Sequence, residues 1–168
     1  TIYNENHDHA LTLKDLHNVE VDDVPDHNLI CGGFPCQPFS ISGKKLGFED
    51  TRGTLFFDIC RIIEVKKPKV VVLENVQHLV NHDKKRTFKT IIKSLESLGY
   101  NVNFKILNCI DFGLPQNRER IFIVGTKYGF FDFEKMTFLD FVGMYLLFFD
   151  INNQYFVRIS QYFVKIDQ

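Results

Sequence analysis

Two side chains of complementary reactivity stand out in the sequence, because each comes just after a short apolar run. Cys36 follows residues 28–31, and a cysteine there could act as a nucleophile if its surroundings stabilised the thiolate. Glu74 follows residues 70–73, where a carboxyl group could act as a general acid. Each residue alone has a plainer explanation, since lone cysteines are commonly small buried hydrophobes and strand-end carboxylates are commonly solvated. Taken together, they predict a site where a nucleophile and an acid converge on one substrate.

Two arginines form a second candidate group. Arg118 and Arg120 alternate within residues 116–120, and alternate side chains of an extended strand share one face. Both guanidinium groups could therefore hold a phosphate or a carbonyl oxygen through forked hydrogen bonds. The alternative interpretation is a surface ion pair with Glu119.

The runs that lead to Cys36 and Glu74 have the pattern of buried strands. Residues 28–31 are largely apolar and end at Gly32 and Gly33, while the β-branched run at 70–73 lacks alternation, as expected of a central parallel strand. An alternating segment around residues 102–106 and an apolar run at 121–124 predict two further strands.

Helices are predicted between these strands. Apolar residues with helical spacing indicate one helix that begins after Thr54 and stops before Pro68, and a second that ends at Gly99. The resulting alternation is that of an open α/β sheet, whose ligands bind beyond the carboxyl ends of the strands, where Cys36 and Glu74 fall. The glycine-punctuated residues 37–53 predict a long functional loop.

Composition excludes several other classes of protein. The chain has 168 residues, 45% of them hydrophobic, which is enough for one sizeable core, and its net charge of −1 gives no overall cationic field. Four cysteines without a paired spacing argue against a zinc ribbon and a disulfide framework, so no metal site is predicted. The longest apolar stretch, residues 138–149, contains Asp140 and is too short to span a bilayer. A cytoplasmic protein with no membrane partner is expected.

Three motifs together resemble those of the bacterial cytosine-5 DNA methyltransferases of restriction-modification systems. They are Gly33-Phe-Pro-Cys-Gln-Pro-Phe-Ser40 with its following loop, then Glu74-Asn75-Val76, and then the Gln-x-Arg-x-Arg pattern of residues 116–120. They occur in the family's order and with similar separations, over roughly residues 15–126. The fold implied by this resemblance is a Rossmann-like sheet of an S-adenosylmethionine-dependent methyltransferase.

The resemblance also implies a reaction and a set of site residues. Cys36 would add to carbon 6 of a cytosine flipped out of double-stranded DNA, and carbon 5 would then take the methyl group of S-adenosylmethionine. Glu74 would neutralise charge at ring nitrogen 3, and Arg118 and Arg120 would orient the base. The implied cofactor contacts are Asp15, Leu16, Pro35 and Leu55.

The same comparison implies that part of the family's domain lies outside this sequence. The family's glycine-rich cofactor loop is expected before Thr1, and no target-recognition domain is recognisable. We therefore expect residues 1–127 to be a partial catalytic core, followed by a Phe- and Tyr-rich tail of unassigned structure at 128–168. A complementary methyltransferase chain is a further expected partner.

Two alternatives stay open at this point. The chain could be a non-catalytic remnant or interaction module that retains the motifs without binding the cofactor. It could also act on transfer RNA, because a relative of the family uses similar motifs, although the Gly-Phe-Pro-Cys-Gln stretch is closer to the DNA enzymes.

Overall fold

The computed structural model describes residues 15–36 and 55–137 in full, together with the backbone of 156–159 and 162–165. Six strands form one mixed sheet in the order β3-β4-β2-β1-β5-β6. Their bounds are β1 Leu29–Gly33, β2 Val70–Val76, β3 Asn101–Asn108, β4 Glu119–Thr126, β5 Phe156–Ile159 and β6 Tyr162–Lys165. The predicted loop at 37–53, the predicted cap Thr54 and the apolar stretch at 138–149 lie outside the described residues.

Two α-helices follow the predicted pattern. Helix α1 (Leu55–Lys66) ends before Pro68, and helix α2 (Arg86–Ser97) ends just before Gly99, whose φ of +83° is one that glycine adopts without strain. The nine residues Gln77–Lys85 form an irregular 3₁₀ segment between β2 and α2, which the sequence pattern did not predict. The other 3₁₀ turns are Leu16–Asn18, Val21–Asp23, Cys109–Phe112 and Phe133–Lys135.

The predicted parallel pairing is confirmed for β1 and β2. Their register ends with Gly33 opposite Glu74, so the two strands reach the same edge of the sheet together. β1 runs through both glycines rather than stopping before them, because each is paired with β2. The chain after Gly33 therefore leaves the sheet beside Glu74.

β4 lies antiparallel between β2 and β3, so it separates two strands that precede it in the sequence. This insertion makes the sheet mixed. It also brings the beginning of β4 beside the end of β2, with Arg120 opposite Val76 and Phe122 opposite Glu74. The beginning of an antiparallel strand thus reaches the edge where the parallel strands end.

Strands β1, β2 and β4 are buried on both faces of the sheet, and the larger core lies between the sheet and the helices. It includes Ile30, Leu73 and Ile121 from the sheet, Ile59 from α1 and Ile91 from α2, all fully buried. A smaller core on the other face is formed around Cys31, Val72, Leu107, Phe122 and Phe133. Strands β1, β2 and β4 lie between these two close-packed cores. The packing therefore holds the ends of β1 and β2 and the start of β4 in fixed positions.

Part of the region after residue 127 joins the same sheet. β5 pairs antiparallel with β1, with Cys31 opposite Arg158, and β6 pairs antiparallel with β5. Among the described residues, no helix is both long and apolar enough to cross a membrane.

Candidate active site

Cys36 lies three residues beyond the end of β1. The ring of Phe34 is buried and tilted against Phe56 of α1, with 5.3 Å between ring centroids, which anchors the chain as it leaves the strand. Cys36 is half-buried and packs against the larger core, whereas the other three cysteines are buried. Burial raises the pKa of the Cys36 thiol. In this conformation the side chain is accessible, and its neutral thiol form is favoured.

Glu74 is a buried carboxyl, only 4% exposed. It was predicted just after its strand but lies within β2, which continues to Val76 because it is paired with β4 there. Burial raises the pKa of Glu74 from 4.5 to about 7, and the positive charges of Arg120 and Arg118 oppose this rise. The carboxyl also forms an ion pair, with 2.9 Å between its Oε1 and Nε of Arg120. The ion pair favours the charged form, but the loss of hydration outweighs it. Glu74 can therefore hold or release a proton near neutral pH.

The two arginines approach this carboxyl from β4. Arg120 lies diagonally across from Glu74 in the β2–β4 pairing, a separation that a long side chain can bridge. Arg118 acts on Glu74 as a second positive charge, and its backbone N–H donates to Oδ1 of Asn108 at 3.1 Å. The structure therefore brings Glu74, Arg118 and Arg120 together. The pairing of β1 with β2 places the fourth predicted catalytic residue, Cys36, at the same edge of the sheet.

An open cleft of about 410 Å³ lies at this edge of the sheet. Its lining consists of two segments, residues 76–78 and residues 116–120. Arg120 both lines the cleft and contacts Glu74, so it links the buried carboxyl to the cleft. Neither Cys36 nor Glu74 is part of the described lining. A planar molecule in the cleft would meet amide and guanidinium donors first.

Asn75 is a site residue that sequence reasoning quoted in a motif without giving it a role. Its side chain is 2% exposed, and Nδ2 donates a hydrogen bond to the carbonyl oxygen of Phe34 at 2.6 Å. The signal was present in the sequence: an uncharged amide inside an apolar strand must find a partner, because an unpaired buried amide is costly. Gln77 and His78 were also missed, since their place in the cleft follows from the irregular segment after β2.

A family model described as "C-5 cytosine-specific DNA methylase" matches residues 1–141 of the 168. The chain belongs to this family. The residues matched include the whole of the site described above, from Phe34 to the arginines of β4.

Curated relatives of this methylase-family chain agree with the assignment. It is 59% identical over 111 residues to the Type II methyltransferase M.NgoBI of Neisseria gonorrhoeae, covering 66% of this chain and 35% of that protein. It is 60% identical over 111 residues to the Type II methyltransferase M1.ScrFI of Lactococcus lactis subsp. cremoris, covering 66% and 28%. The chain thus spans about a third of the length of the curated relatives that it matches.

Solved structures share the fold of this methylase-family chain. The Dnmt2 methyltransferase of S. pombe superposes with a TM-score of 0.61 at 25% identity, covering 79% of this chain and 42% of that one. The Entamoeba histolytica methyltransferase EhMeth gives a TM-score of 0.57 at 23% identity, covering 78% and 42%. The prediction of a Rossmann-like methyltransferase sheet is confirmed.

Two of the four residues predicted to contact the cofactor, Leu16 and Leu55, belong to the larger core or pack against it. Leu16 belongs to that core and is fully buried, while Leu55 packs against it and is half-buried. Asp15 is exposed, and its carboxylate accepts a hydrogen bond from the backbone N–H of His17 at 3.0 Å. Pro35 is half-buried between Phe34 and Cys36. Asp15, Pro35 and Leu55 are therefore accessible to a ligand, whereas Leu16 is buried in the core under the turn.

Proposed function

We propose that the chain is the part of a DNA (cytosine-5-)-methyltransferase that carries the nucleophile and the acid for the target base. The observation that carries the proposal is the buried carboxyl of Glu74, with a pKa of about 7, beside Arg120. Glu74 lies near the carboxyl end of β2, the strand paired with the one that leads to Cys36. A carboxyl that holds a proton at neutral pH can donate it to ring nitrogen 3 of cytosine.

Cys36 would act on the other edge of the same ring. Its sulfur forms a bond to carbon 6, and the ring electrons displaced toward nitrogen 3 are stabilised by the proton of Glu74. Burial raises the pKa of the Cys36 thiol. Cys36 must therefore give its proton to a general base or to solvent when the cytosine enters the site. Arg120, within 2.9 Å of Glu74, keeps the carboxylate stable once its proton is given up.

When bound, S-adenosylmethionine would supply the methyl group to carbon 5 of the activated ring, and its bond from the sulfonium sulfur to that methyl group would break to leave S-adenosylhomocysteine. The proton of carbon 5 is then removed by a base, the bond between Cys36 and carbon 6 breaks, and the thiolate is released. Within this chain, Asp15, Pro35 and Leu55 would hold the cofactor, with Leu16 as the buried support of the turn. The mostly apolar character of these positions fits a flat, partly hydrophobic ligand.

Double-stranded DNA with a flipped cytosine is the proposed substrate, because carbons 5 and 6 cannot be reached while the base is stacked. Arg118 and Arg120 would orient that base from the cleft. Lys84 and Lys85 are exposed and precede α2, which begins on the side of the sheet where β2 ends, so they are placed to meet the phosphate backbone. A DNA substrate in a bacterial cell would place the reaction in the cytoplasm.

A complementary chain is part of the proposal. The chain spans about a third of the relatives' length, and a partner that supplies the remainder of the domain would complete the cofactor site.

Covalent trapping tests the proposal directly. The 168-residue chain, together with a companion chain carrying the rest of the catalytic domain, is incubated with S-adenosylmethionine and a duplex containing 5-fluorocytosine. The wild-type chain should form an adduct stable to denaturation, and Cys36→Ser should form none. Cys31→Ala, on the strand that leads to Cys36 but buried in the smaller core, is the matched control and should still trap. Trapping by Cys36→Ser would reassign the nucleophile, and transfer RNA added as a competitor tests the other substrate.

A second candidate is a non-catalytic remnant that keeps the motifs without binding the cofactor, favoured by the raised pKa of the Cys36 thiol, which disfavours the reactive thiolate. Isothermal titration with S-adenosylhomocysteine separates the two. Saturable heat, with the companion chain present, is expected of the enzyme, and its absence would favour the remnant.

A further inference from the structure

The buried amide of Asn75 joins the acid and nucleophile segments of the site. It is adjacent to Glu74 on β2, and its Nδ2 donates to the carbonyl oxygen of Phe34, two residues before Cys36, at 2.6 Å. From this geometry we propose that Asn75 is a positioning residue, which holds the segment that carries Cys36 in register with Glu74. This role matters for catalysis only if the proposed function is correct, and in that respect the proposal rests on it.

The orientation of the amide is fixed by its own strand. Oδ1 of Asn75 accepts a hydrogen bond from the backbone N–H of Val76 at 2.9 Å. A backbone N–H can only donate, so the oxygen must face Val76 and the NH₂ group must face Phe34. The bond to Phe34 is buried and the bond from Val76 is partly buried, so leaving either group without a partner would be costly. The amide therefore has one favourable arrangement.

The bond to Phe34 connects β1 and β2 beyond the last residue pair of their ladder. That pair is Gly33 and Glu74, and Phe34 is the first residue beyond the strand. Its ring is held by Phe56, but a ring contact alone leaves the carbonyl free to rotate. The Asn75 amide fixes the carbonyl as well, and the next residue is Pro35, whose own φ is restricted. The direction in which Cys36 leaves the sheet is therefore set largely at Phe34.

Alkylation of Cys36 tests this role on the 168-residue chain without any DNA or cofactor. Cys36 is the half-buried member of the four cysteines and the others are buried, so limited iodoacetamide should modify it first, as mass spectrometry of peptides can verify. Asn75→Ala removes the donor and should loosen residues 34–36. We expect the alkylation rate of Cys36 to rise between about twofold and tenfold, the range that one net hydrogen bond represents.

Tyr100→Phe is the matched control. The hydroxyl of Tyr100 donates to the carbonyl oxygen of Pro68, also at 2.6 Å and buried, but before the start of β2 and so at the far end of the strand from Glu74. This variant loses a bond of the same kind and should leave Cys36 alkylation at the wild-type rate. Asn75→Ser, whose side chain is too short to reach Phe34, is the second variant if Asn75→Ala does not fold.

The outcomes separate the positioning role from the enzymatic one. A less than twofold change in the folded Asn75 variant, or an equal rise in Tyr100→Phe, would overturn the proposal. With the companion chain and the 5-fluorocytosine duplex, the Asn75 variant should also trap about tenfold more slowly than Tyr100→Phe. If the wild-type chain does not trap at all, the proposed function fails, while the alkylation result still decides whether Asn75 holds Cys36.

Discussion

Glu74 is expected to make the folded chain less stable as pH rises, and Glu74→Gln should remove this dependence. In the folded chain the pKa of Glu74 is raised from 4.5 to about 7, because burial disfavours the carboxylate more than Arg120 and Arg118 favour it. In the unfolded chain the same carboxyl is hydrated and titrates at about 4.3. Between these pKa values the folded state binds more protons, so the free energy of unfolding falls as pH rises. The contribution is fully present below about pH 4 and is lost as pH passes about 7.

The size of the effect follows from the two pKa values. A difference of about 2.7 between them corresponds to about 3–4 kcal/mol at 25 °C. This is a substantial share of the roughly 5–15 kcal/mol by which a domain is stable. Urea unfolding followed by circular dichroism at pH 5, 6, 7 and 8 gives the free energy of unfolding at each pH. The quantity to compare is the difference in the free energy of unfolding between wild type and Glu74→Gln, because that difference isolates the contribution of this carboxyl.

Glu119→Gln provides the control, since Glu119 lines the same cleft and its loss removes one negative charge without altering the buried carboxyl. Wild type and Glu119→Gln should lose stability in parallel, whereas Glu74→Gln should lose about 2–3 kcal/mol less between pH 5 and pH 8. If the free energy of unfolding of Glu74→Gln changes with pH as that of the wild type does, ionisation of the buried carboxyl does not destabilise the fold. Its proposed role as a proton donor near neutral pH would then lack its physical basis.

Two other substitutions test the electrostatics and the backbone. Arg120→Ala removes the positive charge that lowers the pKa of Glu74 most. It should lower the free energy of unfolding more at pH 8 than at pH 5, by about 1–2 kcal/mol in the same assay. An equal loss at both pH values would contradict the ion pair. Lys85→Gly should raise the free energy of unfolding by about 1 kcal/mol, because Lys85 has a φ of +69° that glycine adopts without strain. Lys89→Gly, an exposed position inside α2, should lower it by a similar amount, so stabilisation of both or of neither would refute the backbone argument.

The local structure was largely predictable because its causes are local. Helical spacing and the stops at Pro68 and Gly99 predicted α1 and α2, and apolar runs predicted β1 and β2. Cys36 lies beyond the end of β1 as predicted. The prediction that Glu74 follows its strand is wrong, because β2 continues to Val76 through its pairing with β4. The irregular segment Gln77–Lys85 was not predicted, since it contains three consecutive residues with positive φ, a conformation that Asp83, Lys84 and Lys85 do not favour intrinsically. Contacts with the rest of the fold must hold it in place.

The sequence by itself determined which residues are chemically capable and which elements carry them, because residue type, periodicity and turn signals are properties of short segments. Only the tertiary structure decided that β4 enters antiparallel between β2 and β3, and so that Arg120 reaches a carboxyl 46 positions earlier in the chain. The same packing removes water from Glu74 and brings its pKa to about 7. Hydration and the approach of distant charges are set by the assembled core, and the types of the residues do not reveal them.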